Sequence, residues 1–160
     1  MGVSGCGKST VGRQLAKALD LRYLEGDEFH PPENVARMAA GVALTDEDRR
    51  EWLQRMSARL AQARSANEGV VLACSALKRG YRDVLRSGAP ALQLVHLRGS
   101  RELLAARMAA RKGHYMPASL LDSQLATLEP PQPDEGALVF DTARTPEDIV
   151  AAIVRRTDHD

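Results

Sequence analysis

Short apolar runs alternate along the chain with longer segments in which apolar residues recur every three or four positions. The short runs lie at residues 21–24, 70–74, 92–97 and 138–140. Continuous apolar runs of this length are typical of strands covered on both faces, and the longer periodicity is typical of amphipathic helices. Their alternation predicts a three-layer α/β fold, in which a parallel sheet carries helices on both faces.

Capping residues and prolines place helices between these strands. Thr45, with acidic residues after it, begins a long helix that we expect to end near residue 66, and Thr145 begins the last helix. Further helices are expected at residues 10–19, 31–40, 75–88 and 100–112. Ser75 is expected to cap the third of these. Residues 113–135 are rich in proline and predict a short helical segment within mobile loops.

The first residues fit the phosphate-loop pattern G-x-x-x-x-G-K-[ST] and run into the first predicted helix. In such a loop the backbone N–H groups converge on phosphates, Lys8 adds a positive charge, and Ser9 is suited to hold Mg²⁺. The pattern therefore predicts an ATP site with Ser9 as the metal ligand. Its residues are Gly2, Val3, Ser4, Gly5, Cys6, Gly7, Lys8, Ser9 and Thr10.

The loop begins at residue 2, whereas a buried parallel strand normally precedes a phosphate loop. About five buried apolar side chains, at roughly 1.5–3 kcal/mol each, would be missing with that strand. Our expectation is that the natural chain starts earlier, with Met1 as the last residue of the strand or as a misassigned start. We expect a form extended at its N-terminus to be more stable or more active.

Composition narrows the classes of function. A chain of 160 residues fits one domain, and its net charge of +1 gives no reason to expect a nucleic acid or a membrane as partner. Cys6 and Cys74 are the cysteines of the chain, which suits a reducing compartment. Since no long apolar run or signal peptide is present, we expect a cytoplasmic protein.

Phosphoryl transfer requires an acceptor hydroxyl in line with the γ-phosphate, a carboxylate that takes its proton, and positive charge on the transferring oxygens. Asp27 follows the first predicted strand and is the candidate base; a helix cap or turn residue is the alternative. His30 could bind the acceptor or could be a surface histidine. Three cations near expected strand ends favour a small acid as acceptor, although each alone could be a surface charge: Arg49, Lys78 and Arg79.

Arg107 and Arg111 lie four residues apart and share one face of their predicted helix. A segment bounded by glycine and proline follows them, so we expect a lid at about residues 107–130 that brings these arginines over the phosphates and excludes water. A solvated basic helix face is the alternative interpretation.

Two other classes of phosphate-loop protein fit less well. A regulatory GTPase requires an N-K-x-D signature, which the sequence lacks. A motor or transporter ATPase would place an acidic residue after an apolar strand, as at residues 137–141, but no glutamate follows there and the segment lies near the C-terminus.

With these residues assembled, the chain resembles gluconokinases, small phosphate-loop kinases with a nucleoside-monophosphate-kinase-like architecture related to shikimate and adenylate kinases. The matching segments are GVSGCGKST at 2–10, EGDEFHPPENVARMAAGVALTDEDRREWL at 25–53, CSALKRGYRDVLR at 74–86 and VHLRGSRELLAARMAARKGHYMPASLLDSQLATLE at 95–129. Together they cover most of the chain. Departures at Arg37, Ala43 and Glu51 touch helix connections.

The resemblance implies transfer of the ATP γ-phosphate to the 6-hydroxyl of D-gluconate, with Mg²⁺ required and a homodimer as the expected assembly. It implies catalytic roles for Lys8, Asp27 and Arg107, and it places Thr142 in a loop beside the adenine. It implies contacts with gluconate or the lid for His30, Arg49, Ser75, Lys78, Arg79, His114 and Gln124. A related kinase with a shikimate-type acceptor and an inactive ATP-binding sensor are the alternatives.

Overall fold

Strands and helices alternate through the computed structural model of the chain, which describes residues 1–111 and 118–158. The strands are β1 (Arg22–Glu25), β2 (Val70–Ala73), β3 (Val95–Arg98) and β4 (Leu138–Asp141). The α-helices are α1 (Lys8–Ala18), α2 (Pro32–Ala39), α3 (Asp46–Ser65), α4 (Arg79–Gly88), α5 (Arg101–Ala110), α6 (Ala118–Thr127) and α7 (Pro146–Thr157). This order confirms the predicted α/β class.

The strands form two parallel pairs rather than the single sheet that the sequence predicts. β1 pairs with β2, and β3 pairs with β4. The backbone of Met1 and Gly2 lies between the two pairs: Gly2 N–H donates to the Ser75 carbonyl at 3.1 Å, and Leu97 N–H donates to the Met1 carbonyl at 2.9 Å. The two pairs therefore meet at the residues that lead into the phosphate loop.

Two hydrophobic clusters lie on opposite faces of β2. Val71 packs against a cluster built largely from α1, α5, α6 and α7, whereas Val70 and Leu72 pack against a cluster built from α3 and α4. Since successive side chains of a strand point to opposite faces, helices cover both faces as predicted. Val70, Val71 and Leu72 are partly buried, and Ala73 is buried.

The helix caps predicted at Thr45 and Thr145 are confirmed, and Ser100 caps a further helix. Thr45 and Asp48 form a reciprocal capping box, and Thr145 and Ser100 each accept a hydrogen bond from an N–H in the first turn of their helix. The prediction for Ser75 was wrong, because α4 begins four residues later with Lys78 at its N-cap position. The third strand also starts later than predicted, because Leu92 N–H closes a turn onto the Ala89 carbonyl at 3.0 Å.

A buried ion pair fixes the connection between β2 and α4. Arg82 donates from Nε to Glu135 Oε1 at 2.7 Å and from an N–H of its guanidinium to the Ala76 carbonyl at 3.0 Å. Both side chains of the pair are 1% exposed. The pKa of Glu135 is lowered to about 2, and the hydrogen bond from the Arg82 guanidinium is the largest cause. The pair therefore holds in place the loop that carries Ser75 and Lys78.

Within the part of the chain that the structure describes, no helix combines the length and apolar character that crossing a bilayer requires.

Candidate active site

The phosphate loop turns sharply from Gly2 into α1. Gly5 and Gly7 have φ angles of 82° and 90°, in the left-handed region where a side chain would be strained. Lys8 extends back over the loop, with its Nζ donating to the Val3 carbonyl at 3.1 Å. The loop geometry therefore places a lysine ammonium at the mouth of a turn rich in backbone N–H groups, as an anion site requires.

A cleft of about 260 Å³ adjoins this loop. Its lining joins the start of α1, the end of α5 and the loop after β4: Gly5, Cys6, Gly7, Thr10, Val11, Arg107, Arg111, Thr142, Arg144, Pro146 and Ile149. Arg107 donates to the Thr142 carbonyl at 2.5 Å, which ties α5 to the loop after β4. The structure thus brings residues predicted for the nucleotide together from three distant parts of the chain.

Ser9 faces a carboxylate at the end of β1. Its hydroxyl donates to Glu25 Oε2 at 2.7 Å, and the Tyr23 hydroxyl donates to the same oxygen at 2.6 Å. Burial, followed by this hydrogen bond to Glu25, raises the pKa of Tyr23 to about 12. A hydroxyl and a carboxylate are oxygen ligands of the kind that Mg²⁺ prefers, so Ser9 and Glu25 fit a magnesium site.

Asp27 lies in a 3₁₀ turn, Gly26–Phe29, directly after β1. The turn is pressed against β2, since a Cβ at Gly26 would come within 2.5 Å of the Ala73 carbonyl oxygen. Trp52 Nε1 donates to the Gly26 carbonyl at 2.8 Å and fixes the turn from the side of α3. Asp27 itself remains exposed, so its carboxylate is free to meet a ligand.

His30 is held beside this turn by stacking. Its ring lies on the Trp52 ring, with centroids 4.4 Å apart and planes 11° from parallel. Asn34 Nδ2 lies 3.3 Å from His30 Nδ1. Burial is the largest cause that lowers the pKa of His30. The Asp27 carboxylate acts to raise this pKa, and the Arg49 guanidinium acts to lower it further. The ring is therefore neutral near pH 7 and can exchange hydrogen bonds with a hydroxyl.

A cluster that we call the acceptor-side cluster consists of Arg49, Lys78, Tyr81 and Asp46. Lys78 Nζ lies 3.1 and 3.0 Å from the two Asp46 carboxylate oxygens, and the Tyr81 hydroxyl donates to Asp46. Arg49 donates to the Tyr81 hydroxyl at 3.3 Å. The Tyr81 and Lys78 hydrogen bonds lower the pKa of Asp46, and the bond to Asp46 raises the pKa of Lys78. Two cations and a phenol therefore converge on one carboxylate.

The remaining predicted residues lie in different places. Ser75 is partly buried at the end of β2, and Gln124 forms two hydrogen bonds with Ser4 of the phosphate loop. The structure does not bring Arg79 to the acceptor-side cluster, because its guanidinium pairs with Asp134 at 3.0 Å. His114 lies outside the described residues.

Three members of the site were not predicted from the sequence: Glu25, Asp46 and Tyr81. Glu25 ends β1 two residues before Asp27, so the rule that ligands gather at the carboxyl ends of strands could have found it. Asp46 was interpreted as part of a helix start, and nothing local in the sequence indicates its pairing with Lys78.

A phosphate loop, a carboxylate at the end of the neighbouring strand and arginines across a cleft are the parts that phosphoryl transfer uses. The fold and the site therefore define a P-loop kinase.

Known proteins that are similar to this chain also belong to the P-loop kinases, and several of them are gluconokinases. The family model described as an AAA domain matches residues 1–131. The gluconokinase of Gluconobacter oxydans (strain 621H) is 46% identical over 155 residues, covering 97% of this chain and 87% of that protein. The thermoresistant gluconokinase of Escherichia coli (strain K12) is 40% identical, covering 96% of this chain and 89% of that protein.

A solved structure of a gluconokinase from Sinorhizobium meliloti 1021 superposes with a TM-score of 0.88 at 47% identity, covering 99% of this chain and 91% of that one. The chain belongs to the gluconokinase family, whose members are phosphotransferases with an alcohol group as acceptor.

Proposed function

We propose that this chain transfers the γ-phosphate of ATP to the 6-hydroxyl of D-gluconate and forms 6-phospho-D-gluconate. The proposal rests on three features in a chain of the gluconokinase family: a phosphate loop, an exposed carboxylate on the turn after β1, and a cluster of cations. Arg49 of that cluster lies close enough to His30, beside the turn, to help lower its pKa. The phosphate donor and an anionic acceptor would thereby meet near Asp27.

On the donor side, the N–H groups of residues 5–10 and the Lys8 ammonium would bind the phosphates. Arg107 and Arg111 line the adjoining cleft and would face the nucleotide, with the loop at Thr142 beside the base. Ser9 and Glu25 would hold Mg²⁺, which supplies charge neutralisation at the phosphate oxygens when bound. The positive charge of Lys8 is already in place before the reaction, so it stabilises developing charge without reorganisation.

Asp27 would orient the 6-hydroxyl and accept its proton as the oxygen attacks phosphorus. The exposed carboxylate lies on a turn that the close approach of Gly26 to β2 and the Trp52 hydrogen bond hold in place. Such a fixed carboxylate aligns the hydroxyl as well as taking its proton.

On the acceptor side, Arg49 and Lys78 would bind the carboxylate of the sugar acid, and His30 and Ser75 would bind its hydroxyls. The Lys78 ammonium already binds both oxygens of the Asp46 carboxylate. The carboxylate of a sugar acid could be bound in the same way. Arg79 is not part of this set because its guanidinium contacts Asp134 rather than the acceptor-side cluster. His114 and closure of residues 107–130 as a lid stay predictions of the sequence analysis.

An acceptor screen tests the proposal. ADP release is measured with Mg²⁺·ATP and gluconate, shikimate or a nucleoside monophosphate, against a blank without acceptor, and the phosphorylated product is identified by NMR. We expect turnover with gluconate and phosphate on its 6-oxygen. Turnover with shikimate instead would replace the acceptor, and ATP binding without acceptor-dependent ADP release would make the chain an ATP-binding protein without kinase activity.

A further inference from the structure

Gln124 of α6 forms two hydrogen bonds with one residue of the phosphate loop. Ser4 N–H donates to Gln124 Oε1 at 2.7 Å, and Gln124 Nε2 donates to Ser4 Oγ at 3.0 Å. The amide thus satisfies a backbone group and a side-chain group of Ser4 together, across 120 positions of sequence. A pair of bonds fixes the orientation of both partners more strictly than one bond does.

The contact is supported by packing on the same helix. Leu121 precedes Gln124 by about one turn, is 0% exposed, and belongs to the same hydrophobic cluster as Val3 and Cys6 of the phosphate loop. On the exposed side, Asp122 pairs with Arg101 at 2.6 Å and joins α6 to α5. Gln124 is therefore presented to Ser4 by a helix that is docked on the loop.

We propose that Gln124 is a positioning residue that holds the phosphate loop at Ser4 in the conformation that receives the nucleotide phosphates. The inference rests on the proposed function, since the nucleotide is taken to be ATP. A glycine-rich loop loses much conformational freedom when it binds, and a contact that restrains it beforehand lowers that cost. Gln124 acts through Ser4 and needs no contact with the acceptor.

The docking of α6 and the binding of ATP are thermodynamically linked. If α6 docking favours the loop conformation that binds ATP, then ATP must favour the docking of α6 by the same factor. ATP should therefore slow amide hydrogen exchange in residues 118–127, and it should do so through Gln124.

The main variant is Gln124→Met, which keeps the length of the side chain and removes both hydrogen bonds. Loss of two bonds of ordinary strength should weaken Mg²⁺·ATP binding about tenfold by calorimetry. Ser123→Ala is the matched control: it changes an exposed side chain next to Gln124 on the same helix and should leave the affinity unchanged. Melting temperatures show that both variants are folded.

Amide hydrogen exchange and ATP affinity together test the role of Gln124. In the wild type, ATP should slow exchange in residues 118–127, and in Gln124→Met this protection should be lost. Ser4→Ala removes the hydroxyl half of the contact and tests it even if Gln124→Met does not fold; the effects of the two substitutions should be less than additive. Equal ATP affinity in the wild type, Gln124→Met and Ser4→Ala overturns the inference, whereas absence of ATP binding in the wild type overturns the proposed function itself.

Discussion

Asp27 and Glu28 are neighbouring carboxylates on the turn after β1, and both are exposed. Asp27 contributes to the electrostatic surroundings of His30 and of the Cys74 thiol. It therefore lies toward the end of β2 and the acceptor side. Its exposed neighbour Glu28 offers a control carboxylate for a test of the proposed base.

Asp27→Asn should lower kcat by about 10²–10⁴-fold, because the amide cannot accept the proton of the acceptor hydroxyl. ATP affinity should stay nearly intact, since the phosphates are bound elsewhere. A coupled assay for ADP release and calorimetry with Mg²⁺·ATP measure the two quantities. Glu28→Gln, the control, should keep wild-type kcat. Turnover of Asp27→Asn within a few-fold of wild type would exclude Asp27 as the base.

His96 should make the fold sensitive to acid. It is 4% exposed on β3, and burial is the first cause that lowers its pKa to about 4, with the Met1 amino group, Arg82 and Arg98 adding to it. In the unfolded chain it takes up a proton near pH 6.5, so lowering the pH from about 6.5 to 4 favours unfolding, by up to about 3 kcal/mol.

Urea unfolding at several pH values measures this effect. Wild type should lose stability steadily as the pH falls through that range, and His96→Gln should lose much less, because its side chain does not titrate. Identical slopes for the two proteins would show that His96 is not responsible. Glu135, with its pKa of about 2, begins to lose its contribution only below about pH 4.5.

At the scale of elements, ion pairs join the turn at residues 133–135 to α4. Asp134 pairs with Arg79 at the surface, where the side chains are 61% and 44% exposed. Glu135 pairs with Arg82 in the interior and also accepts from Arg86 at 3.2 Å. Asp134 therefore forms an ion pair that is exposed to water, whereas its neighbour Glu135 forms one that is buried inside the protein.

Glu135→Gln should destabilise the protein by about 3–5 kcal/mol, since it leaves the buried Arg82 charge without a negatively charged partner. Asp134→Asn should cost less than about 1 kcal/mol, because water screens an exposed pair. Denaturant unfolding of both variants gives the comparison. Similar losses for the two substitutions would contradict the assignment of the interior pair as the one that holds this region.

At the scale of the whole molecule, the two strand pairs are joined at Met1 and Gly2. The Met1 amino group donates to the Val95 carbonyl at 2.5 Å, and burial lowers its pKa to about 6. Apolar side chains of β2 remain partly buried beside this junction. We expect apolar residues placed before Met1 to pack against these side chains.

An extension of five β-branched residues before Met1 should therefore raise the melting temperature. A gain of about 3 kcal/mol corresponds to roughly 6–12 °C for a chain of this size. A glycine-serine extension of equal length is the control, because it also moves the charged amino group away from Met1 but adds no apolar side chain. Equal melting temperatures for the two extended forms would contradict the prediction, as would equal values for the unextended and the apolar form.

The sequence alone indicated much of the fold, because its evidence is local. Apolar periodicity, the Thr45 capping box and the Pro146 helix start depend on residues within a few positions of one another. The phosphate loop is likewise contained in nine consecutive residues, 2–10. Ser75 shows the limit of such evidence: its type suits a helix cap, but tertiary packing carries the chain past it before α4 begins.

Contacts between distant residues were decided by the tertiary structure. The Gln124–Ser4 contact, the Asp46–Lys78 pair and the Arg82–Glu135 pair join residues that lie 120, 32 and 53 positions apart. No spacing in the sequence specifies such partners, because any of several cations could reach a given carboxylate until packing fixes the helices. The sequence by itself thus determined the chemistry that the protein can hold, and the packing of its helices determined which side chains meet to perform it.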